Sequence, residues 1–296
     1  MTFNEGMQID TSTTSTSGGG GRGPGRGIAV GGGVGGLLIL VVALFLGVDP
    51  STVMPTQQYD TGGGATPGFD TSQCKTGEDA NNIVQCRVIA TGNSVDAVWQ
   101  QLLPGYQRPR MEIFTSDVQT ACGPATSDVG PFYCPGDQTA YFDVGFFDVL
   151  RDQFGSSGGP LAQEYVVAHE YGHHVQNLQG SLANAQRDPE GATGGGVRTE
   201  LQADCYAGIW AHYATITKQE STGVPFLEPL SDKDIADALS AAASVGDDRI
   251  QQASTGRVNP EAWTHGSSEQ RQKWFTEGYR TGDINACDTY SATNLG

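Results

Sequence analysis

Positive charge is scarce in this chain: 16 lysines and arginines stand against 33 aspartates and glutamates, so the 296 residues carry a net charge of -17 and a pI near 4.4. A surface so acidic repels nucleic acid and anionic membrane surfaces, and neither is expected as a partner. No Cys-x-x-Cys occurs, which removes a zinc site built from cysteines. Histidine numbers only five, so a patterned histidine pair is informative.

Such a pair stands at His169-Glu170-Tyr171-Gly172-His173, an H-E-x-x-H pattern. With five His and twelve Glu, chance alone supplies about 0.003 such matches in a chain of this composition. The preceding residues 163–168 are helix formers and apolar residues, and Gly180 follows as a helix end. On a helix, residues four apart share a face, so His169 and His173 present both imidazoles to one point, half of a tetrahedral zinc site. Glu170 is placed to take a proton from a water held in the metal's open position. Gly172 costs this helix about 1 kcal/mol relative to Ala, which implies close approach by another segment or by substrate.

A catalytic zinc site needs a third protein ligand. The extended pattern H-E-x-x-H-x-x-G-x-x-H is absent, because Gln176 and Gln179 stand where its Gly and last His would be. Glu200 and Asp204 instead lie one turn apart on a second helix, among the apolar Leu201, Ala203, Ala207, Ile209 and Trp210. A buried carboxylate pair demands a cation. Glu200 is assigned to the metal and Asp204 to the free ring N–H of a ligating His, whose tautomer it fixes.

These residues resemble the gluzincin type of zincin metallopeptidases. Together with Cys122-Gly123, the run 130–135 (Gly-Pro-Phe-Tyr-Cys-Pro), His174-Val175-Gln176, Cys205 and the run 264–268 (Thr-His-Gly-Ser-Ser), they resemble the putative neutral zinc metallopeptidase family of bacteria over almost the whole chain. The resemblance implies a membrane-anchored, Zn2+-dependent peptidase.

The organisation expected from the sequence has four parts. Residues 1–27 are rich in Thr, Ser and Gly and read as a disordered cytoplasmic tail. Residues 28–48 are uncharged and, at about 1.5 Å per residue, make a helix of about 31 Å, enough to cross a bilayer. A cleavable signal peptide competes, but the long preceding tail and the lack of an A-x-A-like site before Asp49 favour an uncleaved single-pass anchor. Arg22 and Arg26 before the span put the N-terminus in the cytoplasm and the large domain outside. Residues 49–72 form a linker with three prolines, and residues 73–296 are one mostly helical α+β, zincin-like domain. All six cysteines follow the apolar run, consistent with disulfides in an oxidising compartment. Of the 15 possible pairings, Cys74 with Cys86, Cys122 with Cys134, and Cys205 with Cys287 are expected.

Within the domain, the sequence predicts a helix at 93–103, strands at 111–115 and 139–144, a flexible loop at 191–196, and helices at 232–245 and 268–278. The strand at 139–144 is a candidate substrate edge, weighed against an ordinary core strand. Of the other histidines, His174 projects about 100° from His173 and is not expected as a ligand. His212 reads as core or surface. His265, flanked by Gly266, is a candidate oxyanion donor, with a capping role as the alternative.

The expected reaction is hydrolysis of peptide bonds by zinc-activated water with Glu170 as general base. Two alternatives are a non-catalytic, zinc-stabilised envelope binding or assembly protein, which would have no use for Glu170, and a zinc amidase acting on cell-wall peptides.

Overall fold

The computed structural model describes residues 2–18, 68–186 and 188–296. The expected anchor at 28–48 and most of the expected linker lie outside the described residues. Among the described residues no helix is long and apolar enough to cross a membrane.

Mixed α and β structure is arranged around two 20-residue helices, and about half of the described residues are helical. The elements before them are strand β1 (Thr14–Ser17), helices α1 (Gly77–Asn82) and α2 (Val84–Leu102), strands β2 (Arg110–Phe114), β3 (Asp117–Thr120), β4 (Gly123–Thr126), β5 (Phe132–Cys134) and β6 (Thr139–Phe142), and helix α3 (Phe146–Asp152). The two long helices are α4 (Pro160–Gln179) and α5 (Gly195–Ala214); α6 (Asp232–Ser244), α7 (Asp247–Thr255) and α8 (Ser268–Thr281) follow.

One sheet has the order β1-β2-β6-β5, with β1, β2 and β6 parallel and β5 antiparallel to β6. Strands β3 and β4 form a separate hairpin. The expected substrate edge at 139–144 is corrected here: β6 is hydrogen-bonded on both sides and all four of its residues are buried. Phe132–Cys134 is the strand that ends the sheet on this side.

Residues 2–18 depart from the expected disordered tail. Thr14–Ser17 pairs with Met111–Phe114, and Phe3 and Met7 lie in the main core at 1% and 0% exposure. Burial of Phe3 and Met7 and the pairing of β1 offset the ordering entropy that a Thr/Ser-rich segment could not offset alone. The helix expected at 93–103 begins nine residues earlier, at Val84. The loop expected at 191–196 is also tighter than foreseen: Gly195 opens α5 behind its N-cap Gly194. A Cβ at either would overlap the carbonyl oxygens of Glu190 or Asn184.

The three expected disulfides are present, Cys74–Cys86, Cys122–Cys134 and Cys205–Cys287. The third ties α5 to the C-terminal segment. Trp274 and Phe275 on α8 are buried, at 6% and 0% exposure.

Candidate metal centre

Helix α4 starts where Gly159 precedes Pro160 at its first position, which suits a residue lacking an N–H, and stops at Gly180 in the left-handed conformation (φ 73°). Almost its whole length from Leu161 to Gln176 is buried. Gly172 makes this possible: a Cβ there would come within 3.1 Å of Cα and O of Ala203 on α5. The close approach inferred from the sequence is therefore by the second helix. It brings α4 and α5 together at the level of His169, His173 and Glu200.

His169, His173 and Glu200 are all buried, and their ligand atoms lie within 4.8 Å of one another. Both histidines turn Nε2 towards Glu200, at 3.2 Å for His169 and 3.5 Å for His173. The Nδ1 atoms face away onto fixed partners: Asp204 Oδ1 at 2.8 Å for His169 and Gln176 Oε1 at 2.8 Å for His173. With each Nδ1–H donating to its oxygen, both Nε2 atoms face the shared point, where each would offer its lone pair once a metal displaces any proton on it.

Burial pulls the imidazole of His169 towards neutrality, but the carboxylates of Asp204 and Glu200 hold its pKa up at about 9. Burial dominates at His173 and lowers it to about 4. Burial would raise Glu200, yet the neighbouring histidines keep its carboxyl well below the usual range. A bound cation would take the place of the His169 proton in balancing the carboxylates of Glu200 and Asp204. Two imidazole nitrogens and one carboxylate in this geometry fit a divalent cation such as zinc.

Contributors that were not foreseen complete the site. Gln176 orients His173 and is held in turn by its own Nε2, which donates to Thr199 O at 2.8 Å and Gln202 Oε1 at 3.0 Å. Its position three residues after His173 on one helix was the available signal. Arg271 on α8 makes a fork to Asp204, Nε to Oδ2 at 2.9 Å and Nη2 to Oδ1 at 2.9 Å, while Tyr165 also donates to Asp204 Oδ1. Burial would raise Asp204, but the Arg271 guanidinium and His169 keep its carboxyl low. Nothing local in the sequence joins Arg271 to Asp204, 67 positions away.

A cavity of about 300 Å³ opens beside the cluster. His169, His173, Glu200, Glu170 and His265 all line it, with Phe132, Phe146, Val166 and Leu182 among its apolar wall. Burial, helped by the charge of Glu200, pushes Glu170 up to about 7. His265 is held by Asp247, whose Oδ1 lies 3.3 Å from its Nδ1, and by Thr264 Oγ1 at 2.9 Å. Asp247, likewise unforeseen, also accepts from the backbone N–H groups of Thr264, His265 and Gly266. His174 is directed elsewhere, to Tyr133 Oη at 2.9 Å and Gln107 O at 2.7 Å. His212 bonds Tyr279 O at 2.7 Å and does not line the cavity.

Two curated relatives are similar over most or all of the chain. An uncharacterized protein of Mycobacterium tuberculosis, Rv2575, is 71% identical over 296 residues, the whole of both chains. The uncharacterized protein YpfJ of Escherichia coli K12 is 37% identical over 269 residues, 87% of each chain. No solved structure matches. A buried two-histidine, one-glutamate cluster beside an acidic group in a cavity is the arrangement that the family resemblance implied, and the model of the putative neutral zinc metallopeptidase family matches residues 3–290; the chain belongs to that family.

Proposed function

We propose that the chain is a zinc-dependent, zincin-like metallopeptidase that hydrolyses peptide bonds, with the metal held by His169, His173 and Glu200. The observation that carries this reading is Glu170: a buried carboxyl on the cavity wall, next in sequence to a metal-ligating histidine, with a pKa pushed to about 7. A purely structural metal site has no use for such a group, which counts against the binding-protein alternative.

Zinc bound there would polarise both a water molecule and the scissile carbonyl. Glu170 takes a proton from the attacking water and passes it to the leaving amine, so no covalent enzyme intermediate is needed. Its place on the cavity wall beside His169 puts it in reach of both partners of that transfer. Asp204 and Gln176 hold the two imidazoles in the tautomer that binds metal. His265 carries a proton more readily than an ordinary histidine: burial opposes it, but Asp247 and Glu200 prevail. With Nδ1 occupied by Asp247, the Nε2–H is left to donate to the oxyanion of the tetrahedral intermediate.

The substrate is an extended peptide. Among the described residues Phe132–Cys134 ends the sheet, and Phe132 and Tyr133 line the cavity, so its outer edge is the one along which a peptide would pair. The apolar wall suits a substrate with a bulky apolar side chain beside the scissile bond. Three disulfides support a domain that works outside the cytoplasm.

The test compares the zinc-loaded full chain with a Glu170→Gln variant on an unfolded protein and on cell-wall peptides. Cleavage of the protein, with a fall of about 10²–10⁴ in kcat for the variant at equal zinc content, is expected. Cleavage of cell-wall peptides alone would move the assignment to the amidase. No cleavage of either, with one zinc per chain in both proteins, would leave the non-catalytic reading.

A further inference from the structure

The apolar run at 28–48 joins two stretches that fold into one body. Residues 2–18 are bound to the domain along their whole length. At the start, Thr2 Oγ1 donates to the buried carboxylate of Glu164 on α4, and its carbonyl accepts from Glu228 N at 2.8 Å. Phe3 is clamped from both sides by Asn81, which accepts its N–H at 3.1 Å and donates to its carbonyl at 2.9 Å. Asn93 clamps Asp10 in the same way, at 2.8 Å and 2.9 Å, and the Asp10 carboxylate pairs with Arg108 at 2.8 Å. At the end, β1 adds a parallel strand to β2. The receiving surface is shaped for this segment: a Cβ on Gly77 would overlap the carbonyl of Asn4.

A single crossing by 28–48 separates its two flanks by the hydrocarbon core, about 30 Å thick. Under that topology residues 2–18 would face the cytoplasm while residues 68–296 face the outside, and no contact named above could form. A second copy supplying its own N-terminal segment would not help, since that segment too would lie across the bilayer. We infer that residues 2–18 and the domain of residues 68–296 lie on the same side of the membrane. The disulfides, which fasten residues between 74 and 287, place that shared side outside the cytoplasm. The inference is independent of which reaction the cavity performs.

The test uses the full chain in cells, with Glu5→Cys reporting the N-terminal segment and Ser221→Cys the domain; both positions are exposed. A membrane-impermeant maleimide is applied before and after lysis. Labelling of both before lysis is expected. Labelling of Ser221→Cys before lysis and of Glu5→Cys only afterwards would overturn the inference. Labelling of both only after lysis would uphold the shared side and overturn its placement outside the cytoplasm. Amide exchange of the unsubstituted full chain in detergent gives a second reading. The N–H groups of Asn4, Met7 and Ile9 are bonded to backbone carbonyls and should exchange at least about 100-fold more slowly than unprotected amides, as closed native hydrogen bonds do. Exchange of all three at unprotected rates would overturn the docking on which the topology rests.

Discussion

At the scale of single residues, the groups that orient the ligands are as informative as the ligands. Asp204 and Gln176 touch the candidate metal site only through His169 and His173. Replacing either by Ala is expected to weaken zinc binding by about 10–100-fold while the fold persists, measured by competition with a chelator. Asp204→Ala also strands the buried guanidinium of Arg271 and should cost more stability than Gln176→Ala. Glu164 carries a different prediction. Burial raises its carboxyl from 4.5 to about 7, against the Thr2 hydrogen bond and the charge of Arg87. Below pH 4.5 both folded and unfolded chains hold this proton. Between 4.5 and about 7 the unfolded chain releases it first, so the contribution of Glu164 to stability falls as pH rises, by at most about 1.4 kcal/mol per pH unit. A Glu164→Gln variant should therefore gain stability relative to the parent between pH 5 and pH 8, as read by urea titration at each pH.

At the scale of elements, the site depends on how closely helices approach. Gly172 lets α4 rest on Ala203 of α5, where a Cβ would sit 3.1 Å from backbone atoms. Gly208 on α5 lies tighter still, since a Cβ there would overlap the carbonyl of Phe275 on α8. In an isolated helix Gly→Ala stabilises by about 1 kcal/mol. Here both substitutions should destabilise, Gly172→Ala by about 1–3 kcal/mol and Gly208→Ala by more, because overpacking outweighs propensity. Denaturant midpoints of the two variants check the ranking. Loss of activity beyond loss of stability is expected only for Gly172→Ala, which lies between His169 and His173.

At the scale of the whole molecule, the N-terminal segment is part of the core. Phe3→Ala should cost about 3–5 kcal/mol, the range for a large buried aromatic. A chain beginning at residue 73 would lack Phe3, Met7 and strand β1 together and should unfold at lower denaturant than the full chain. A truncated domain with undiminished stability would contradict the packing.

Local chemistry carries a large part of this protein, and it was legible in one dimension. The H-E-x-x-H spacing puts two imidazoles on one helix face and E-x-x-x-D puts two carboxylates on another, because helix geometry is the same wherever the helix lies. The cysteine pairing was legible too, since two of its loops close over only 12 residues. What depends on contacts between distant segments was not. Arg271 reaches Asp204 across 67 positions, Asp247 reaches His265 from a separate helix, β6 is interior because β5 covers it, and residues 2–18 are ordered because the domain offers Asn81, Asn93 and Gly77 to hold them. A Thr/Ser-rich segment and an isolated arginine have no periodicity to read; only the folded chain supplies the partners that repay their ordering and desolvation.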